Sequence, residues 1–70
     1  MIGKKMQDAM NEQVKNEFYS ANLYLAMSIH FDREGLTVFA DWFEKQAKEE
    51  ETHAMKFIKY VTGTGGKALV

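Results

Sequence analysis

Residues 39–62 read FADWFEKQAKEEETHAMKFIKYVT, and their apolar pattern is the strongest structural indication in this 70-residue chain. Apolar side chains recur at steps of three and four, which is the periodicity of an α-helix. No proline or glycine interrupts the pattern. The sequence therefore predicts a helix over about residues 37–62, with Phe39, Phe43, Ala47, Ala54, Phe57, Ile58 and Val61 as its periodic positions.

The preceding residues show the same periodicity and predict a first helix over about residues 3–34. Gly35 follows directly, and a glycine there suits the left-handed residue that closes a helix. The glycine-rich tail, residues 63–70, predicts a helix stop followed by a short extended piece. The periodic apolar positions of the first helix are Met6, Met10, Val14, Phe18, Ala21, Leu25 and Ile29.

These elements predict an all-α fold in which one antiparallel two-helix hairpin spans residues 1–70. Both helices exceed the usual length, which favours a bundle partner. Chains this short usually need disulfides, a metal or another chain for stability, and cysteine is absent. We therefore expect the hairpin to pair with another copy into a four-helix bundle, as a homodimer or a larger even-numbered oligomer.

Composition narrows the function classes. The net charge is −1 and acids and bases are interspersed, so no basic patch indicates nucleic-acid binding. No apolar run is long enough for a membrane span or follows the N-terminal lysines as in a signal peptide. A cytoplasmic protein is the default expectation.

The candidate site centres on Glu50-x-x-His53, since residues three apart share one face of a helix. Glu17 lies 18 residues before Gly35, and His53 lies 18 residues after it. Glu17 is therefore level with His53 and within about one turn of Glu50. The sequence predicts that these three side chains converge on one side of the hairpin.

Two hairpins related by a twofold axis would offer four Glu and two His. This is the ligand set of carboxylate-bridged di-iron bundles. Carboxylate oxygens with one imidazole per metal suit iron or manganese better than copper, and spacing alone leaves zinc open. The alternatives are a partly exposed helix face for Glu50 and His53, and a surface position for Glu17. Tyr24 is either a core residue or a hydrogen-bonding or electron-donating neighbour of the metal, and Glu49 is either solvated or close to a further cation.

The chain resembles the bacterial non-haem ferritins. Asn11-Glu12-Gln13 and the stretch from Glu17 to Met27, EFYSANLYLAM, resemble their first bundle helix. FADWFEKQA at 39–47 and EEETHA at 49–54 resemble the second. Gly65-Gly66-Lys67 is similar to the start of the crossover that follows.

This resemblance implies particular roles for five residues. Glu17, Glu50 and His53 match ligands of the ferroxidase centre, where Fe(II) is oxidised by dioxygen or peroxide. Tyr24 matches the tyrosine beside that centre, and Glu49 matches a carboxylate associated with a third iron. Family members form a 24-subunit shell that stores ferric mineral, but each subunit is a complete four-helix bundle.

Three explanations remain open at this stage. The first, which we favour, is a ferroxidase-type iron-binding protein whose di-iron site is completed by dimerisation. The second is an inactive N-terminal fragment of a longer ferritin. The third is a helical association module with vestigial metal residues.

Overall fold

The computed structural model describes all 70 residues and contains two α-helices and no strand. Helix α1 spans Lys4–Arg33 and helix α2 spans Thr37–Gly63. The helices lie side by side as a hairpin of 49 × 14 × 11 Å. Neither is long and apolar enough to cross a membrane.

The turn at Gly35 reverses the chain within three residues. Gly35 has a φ of +76°, the left-handed conformation in which a side chain would be strained. Its N–H donates to the carbonyl of Asp32 at 3.0 Å, and the Leu36 N–H donates to that of Phe31 at 2.9 Å. These two bonds form a Schellman motif, which satisfies the last carbonyls of α1 and starts α2 immediately.

A narrow stripe of small residues joins the helices. Every seventh residue of each helix is buried, which is the spacing that keeps one face towards a neighbouring helix. Ser28 also donates a buried hydrogen bond from Oγ to the carbonyl of Ala40 at 2.7 Å. The stripe comprises Val14, Ala21 and Ser28 on α1 and Ala40, Ala47, Ala54 and Val61 on α2.

The buried stripe is narrower than the apolar pattern of the sequence suggests. Leu25 and Ile29, both periodic apolar positions of α1, are 46% and 54% exposed. A helix has a single neighbour in a hairpin, so only the side chains that point at that neighbour are covered. Much apolar surface on both sides of the stripe therefore remains accessible.

The tail folds back onto the first turns of α1. Gly63 is the last helical residue, and Gly65, with a φ of +81°, closes α2 through a second Schellman motif. Beyond it, Gln7 accepts a hydrogen bond from the Lys67 N–H at 3.0 Å. Asn11 donates to the Lys67 carbonyl at 2.9 Å and accepts from the Leu69 N–H at 3.0 Å. The extended piece is thus docked on α1.

Candidate metal centre

Glu17, Glu50 and His53 converge on one side of the hairpin and are called the ligand cluster below. His53 Nδ1 lies 3.6 Å from Glu17 Oε2 and 3.7 Å from Glu50 Oε2. One ligand atom from each of the three residues lies within 4.8 Å of the others. The convergence deduced from residue heights is therefore present in the fold.

The distances from His53 to the two carboxylates suit a shared cation better than direct pairing. Both contacts to His53 are too long for strong hydrogen bonds. Ligand atoms about 2.1 Å from a first-row metal ion lie roughly 3–3.5 Å from one another. The His53 Nδ1 atom is only slightly farther than this from the two carboxylate oxygens. A small side-chain adjustment would place all three donors around one ion.

The two carboxylates differ in environment and protonation. The Glu17 side chain is 13% exposed and that of Glu50 is 21% exposed. A hydrogen bond with Glu17, in which Glu50 holds the proton, raises the pKa of Glu50, and burial acts in the same direction. The pKa of Glu17 is lowered because Glu50 and Gln13 donate hydrogen bonds to its carboxylate. A proton shared by the pair is therefore held more tightly by Glu50 than by Glu17.

Gln13 is a supporting residue that the sequence interpretation missed. Its Nε2 donates to Glu17 Oε1 at 2.9 Å, which leaves Oε2 facing His53. Gln13 lies four residues before Glu17, a spacing at which helix side chains meet. That spacing was the available indication, although glutamine at this distance from an acid is common on ordinary helix surfaces.

The ligand cluster opens onto an apolar cleft that runs towards the tail end of the hairpin. Met10, Phe57 and Tyr60 line this cleft together with Glu17, His53 and Lys56. The side of the hairpin that bears the cluster and this cleft is called the open face. His53 is 49% exposed there, so a ligand from a further helix could reach the same ion.

The structure places Tyr24 and Glu49 outside the cluster. Tyr24 is half-buried and packs against Phe43, with ring centroids 6.0 Å apart. It lies seven residues after Glu17, so both residues are on the open face. Glu49 is exposed and does not belong to the group of three residues whose donor atoms lie within 4.8 Å of one another. The suggested roles of both residues remain predictions.

Carboxylate oxygens and one imidazole make the cluster suitable for a hard or borderline divalent cation such as Fe(II), Mn(II) or Zn(II). Three protein donors leave coordination positions open, which a catalytic metal site requires. Two such clusters facing one another would supply the four Glu and two His of a di-iron bundle. The three residue types present here are those of half that set.

Comparison with known proteins identifies the family of the chain. The Ferritin-like domain family matches residues 7–70. A bacterial non-heme ferritin of Bacteroides fragilis is 49% identical over the whole chain, which covers 44% of that relative. One from Staphylococcus aureus is 37% identical over 97% of the chain and 41% of the relative.

A solved structure gives the same match in three dimensions. An open-pore ferritin of the hyperthermophilic archaeon Archaeoglobus fulgidus superimposes on the whole chain with a TM-score of 0.94 and 43% identity. The matched region is 43% of that protein. The chain thus spans less than half the length of the relatives that it matches.

Proposed function

The chain belongs to the Ferritin-like domain family, and we propose that it binds Fe(II) through Glu17, Glu50 and His53 and oxidises it to Fe(III). The observation that carries this proposal is the convergence of these three donors within 4.8 Å on the open face. Iron is the substrate of the reaction, and dioxygen or peroxide accepts its electrons. The two relatives described above are both named non-heme ferritins, which supports iron over manganese or zinc.

Each residue has a distinct task in this proposal. His53 and Glu50 hold one ion from the same face of α2, and Glu17 completes the set from α1. Gln13 fixes the orientation of Glu17. Glu50 would release its proton on binding the ion, because a carboxylate binds a metal ion in its ionised form. Tyr24, on the same face, is proposed as a hydrogen-bonding or electron-donating neighbour, and Glu49 as an outer cation contact.

A second copy of the chain is proposed to complete the site. The accessible surface is 5220 Å², whereas a compact monomer of 8.1 kDa is expected to expose about 4,500 Å². The excess of roughly 700 Å² is close to the area that one partner buries in a standard protein interface. Pairing through the open face would cover exposed surface of this extent and bring two ligand clusters together.

The test compares Glu50→Ala with Glu51→Ala. Glu51 is exposed and next in sequence, so both variants lose one acid from the same helix turn. Fe(II) binding is measured by anaerobic calorimetric titration, and oxidation is followed by oxygen consumption. We expect Glu50→Ala to weaken binding and slow oxidation by at least about tenfold, and Glu51→Ala to behave as the parent. Far-UV circular dichroism should show unchanged helicity in both.

Two results would contradict the proposal. If Glu50→Ala oxidises Fe(II) as fast as the parent, the reaction occurs elsewhere or is uncatalysed. If Fe(II) leaves the melting temperature of the parent unchanged, the folded chain does not bind it, because a ligand specific for the folded state must stabilise it. The second result would favour a purely structural helical module.

The length of the relatives supports a second candidate function. In this alternative, the hairpin is half of a bundle whose other helices come from a different stretch of ferritin polypeptide. The hairpin would then bind Fe(II) weakly by itself, and adding a polypeptide with the third and fourth ferritin helices would restore oxidation. Activity of the hairpin in the absence of such a polypeptide would favour the first proposal.

A further inference from the structure

We propose that Lys56 lowers the affinity of the ligand cluster for Fe(III), the product of oxidation, more than its affinity for the substrate Fe(II), and so favours product release. Lys56 is then a specificity-determining residue that acts on the ion through its charge, without being one of the three ligands. This inference rests on the proposed function, in which iron is oxidised at the ligand cluster.

Lys56 lies beside the ligand cluster on α2. It follows His53 by three residues, a spacing at which the side chains of a helix are neighbours. It also lines the cleft of about 380 Å³ onto which the cluster opens, together with Glu17 and His53. Of the residues that line this cleft, Lys56 alone is a lysine or arginine. An ion held by the cluster would therefore have one ammonium group in the cleft beside it.

The charge of Lys56 is not neutralised along its own helix. The fold contains three lysine ion pairs, and in each of them the acid lies three or four residues from the lysine. The corresponding positions around Lys56 are 52, 53, 59 and 60, and none of them is an acid. Lys56 accordingly takes part in none of the ion pairs of the fold. Its ammonium group is thus available to act on an ion in the cleft.

Oxidation changes the charge of the site by one unit. The carboxylates of Glu17 and Glu50 are ionised and His53 is neutral when these residues bind a metal ion. The two carboxylates balance the charge of Fe(II), whereas Fe(III) leaves the cluster with one excess positive charge. The repulsion between Lys56 and the ion increases with the charge of the ion. Lys56 therefore opposes binding of Fe(III) more than binding of Fe(II).

The surroundings of the cluster determine the size of this effect. Met10, Phe57 and Tyr60 form apolar walls, which screen charges less than water does. His53 is 49% exposed, so water screens part of the interaction. At a separation of about 8 Å, which one helix turn and two side chains allow, one additional unit charge alters a binding constant by about twofold in water and more at a lower dielectric constant. We therefore expect Lys56 to change the ratio of the two affinities by about two- to fivefold.

Lys59 provides a matched comparison within the same helix. Like Lys56, it is exposed and lies on α2, three residues further on. It does not line the cleft. Removing either charge changes the net charge of the chain by the same amount, so only an effect of position can separate the two lysines. If Lys56 served solubility alone, its removal would have the same consequences as removal of Lys59.

Two redox-inert ions test the proposal without turnover. Zn(II) has the charge of Fe(II), and Ga(III) has the charge of Fe(III). The affinities for both ions are measured by calorimetric titration, with Ga(III) supplied as its nitrilotriacetate complex to keep it in solution. Lys56→Gln should raise the ratio of the Ga(III) affinity to the Zn(II) affinity by about two- to fivefold. Lys56→Arg, which retains the charge, and Lys59→Gln should both leave this ratio unchanged.

Three results would overturn this role of Lys56. One is an unchanged affinity ratio in Lys56→Gln, and another is an equal change in Lys59→Gln, which would reflect only the net charge of the chain. The third is an equal change in Lys56→Arg, which would reflect packing of the side chain. Each of these results is compatible with the proposed function as long as the parent binds Zn(II). If the parent binds neither ion, the ligand cluster is not a metal site, and the proposed function fails together with this inference.

Release of oxidised iron provides a second readout. The parent, Lys56→Gln and Lys59→Gln each oxidise one Fe(II) per chain, and an excess of a hydroxamate chelator is then added. The rate of transfer is followed by the visible absorbance of the ferric hydroxamate. Lys56→Gln should transfer Fe(III) about two- to fivefold more slowly than the parent, and Lys59→Gln should match the parent. Equal rates in all three proteins would contradict a role of Lys56 in product release.

Discussion

Gly66→Ala tests the docked tail, which is the least expected part of the fold. A Cβ atom added at Gly66 would lie 2.7 Å from Cγ2 of Ile2 and 2.9 Å from Cγ1 of Val61. Val61 is fully buried, and both methyl groups branch close to the backbone, so neither can swing away freely. Overpacking of this kind costs about 1–3 kcal/mol. Restricting the unfolded chain offsets about 0.4–1 kcal/mol of that cost.

The net expectation is a loss of about 1–2 kcal/mol in the free energy of unfolding. In a domain of this size, each 1 kcal/mol lowers the melting temperature by roughly 4–8 °C. Gly63→Ala is the matched control, because Gly63 is helical and no atom lies within 4 Å of its added Cβ. Alanine is the better helix former, so this variant should gain about 0.5–1 kcal/mol.

The assay is urea unfolding of metal-free protein followed by far-UV circular dichroism, with all variants at one chain concentration. Amide hydrogen exchange at Lys67 and Leu69 reports the tail itself, because both N–H groups donate to α1 side chains. The Gly66→Ala variant should lose protection there, and Gly63→Ala should retain it. Equal stability of the two variants, with unchanged protection, would refute the packing argument.

Two further predictions concern the helix contact and the site. Ala54→Leu, at a fully buried position, should lower the free energy of unfolding by about 1–3 kcal/mol, whereas Ala26→Leu on the exposed side of α1 should be nearly neutral in the same urea assay. Because the pKa of Glu50 is raised, its protonated form stabilises the metal-free fold below its ordinary pKa, and this contribution is lost as pH rises through the raised value. Fe(II) affinity should therefore increase with pH over that range with proton release, measured by calorimetry in buffers of different ionisation enthalpy, and Glu50→Gln should abolish the release.

The family and the helical hairpin were predictable from the sequence and are confirmed. Helical periodicity identifies the residues that avoid water, and Gly35 directly after the first helix indicates where that helix closes. The meeting of Glu17 with Glu50 and His53 was also predictable, because a rise of about 1.5 Å per residue converts distance from Gly35 into height. Their function as iron ligands stays a prediction.

The docked tail and the exposure of Leu25 were not predictable in the same way. The tail is held by Gln7 and Asn11, whose side chains bond backbone groups 56–60 residues away in sequence. Such bonds leave no periodic pattern. The apolar pattern also does not distinguish residues that the other helix covers from residues that a further partner would cover. It therefore cannot assign Leu25 to one of these surfaces.

The small residues between the helices connect packing to metal chemistry. Interaxial distance depends on the side chains at the contact, and here the layers beside the ligand cluster are formed by Ala21 and Ala54. Small side chains in these layers allow the helices to approach closely, and Glu17 lies 3.6 Å from His53. A larger side chain at Ala54 would move α2 outwards and lengthen that distance, so Fe(II) affinity should fall together with stability. Ser28 is buried in the same stripe but lies about three turns from Glu17. Ser28→Ala should therefore lower the free energy of unfolding and leave the Fe(II) affinity unchanged. If the affinity also falls, the geometry of the ligand cluster depends on helix packing three turns away.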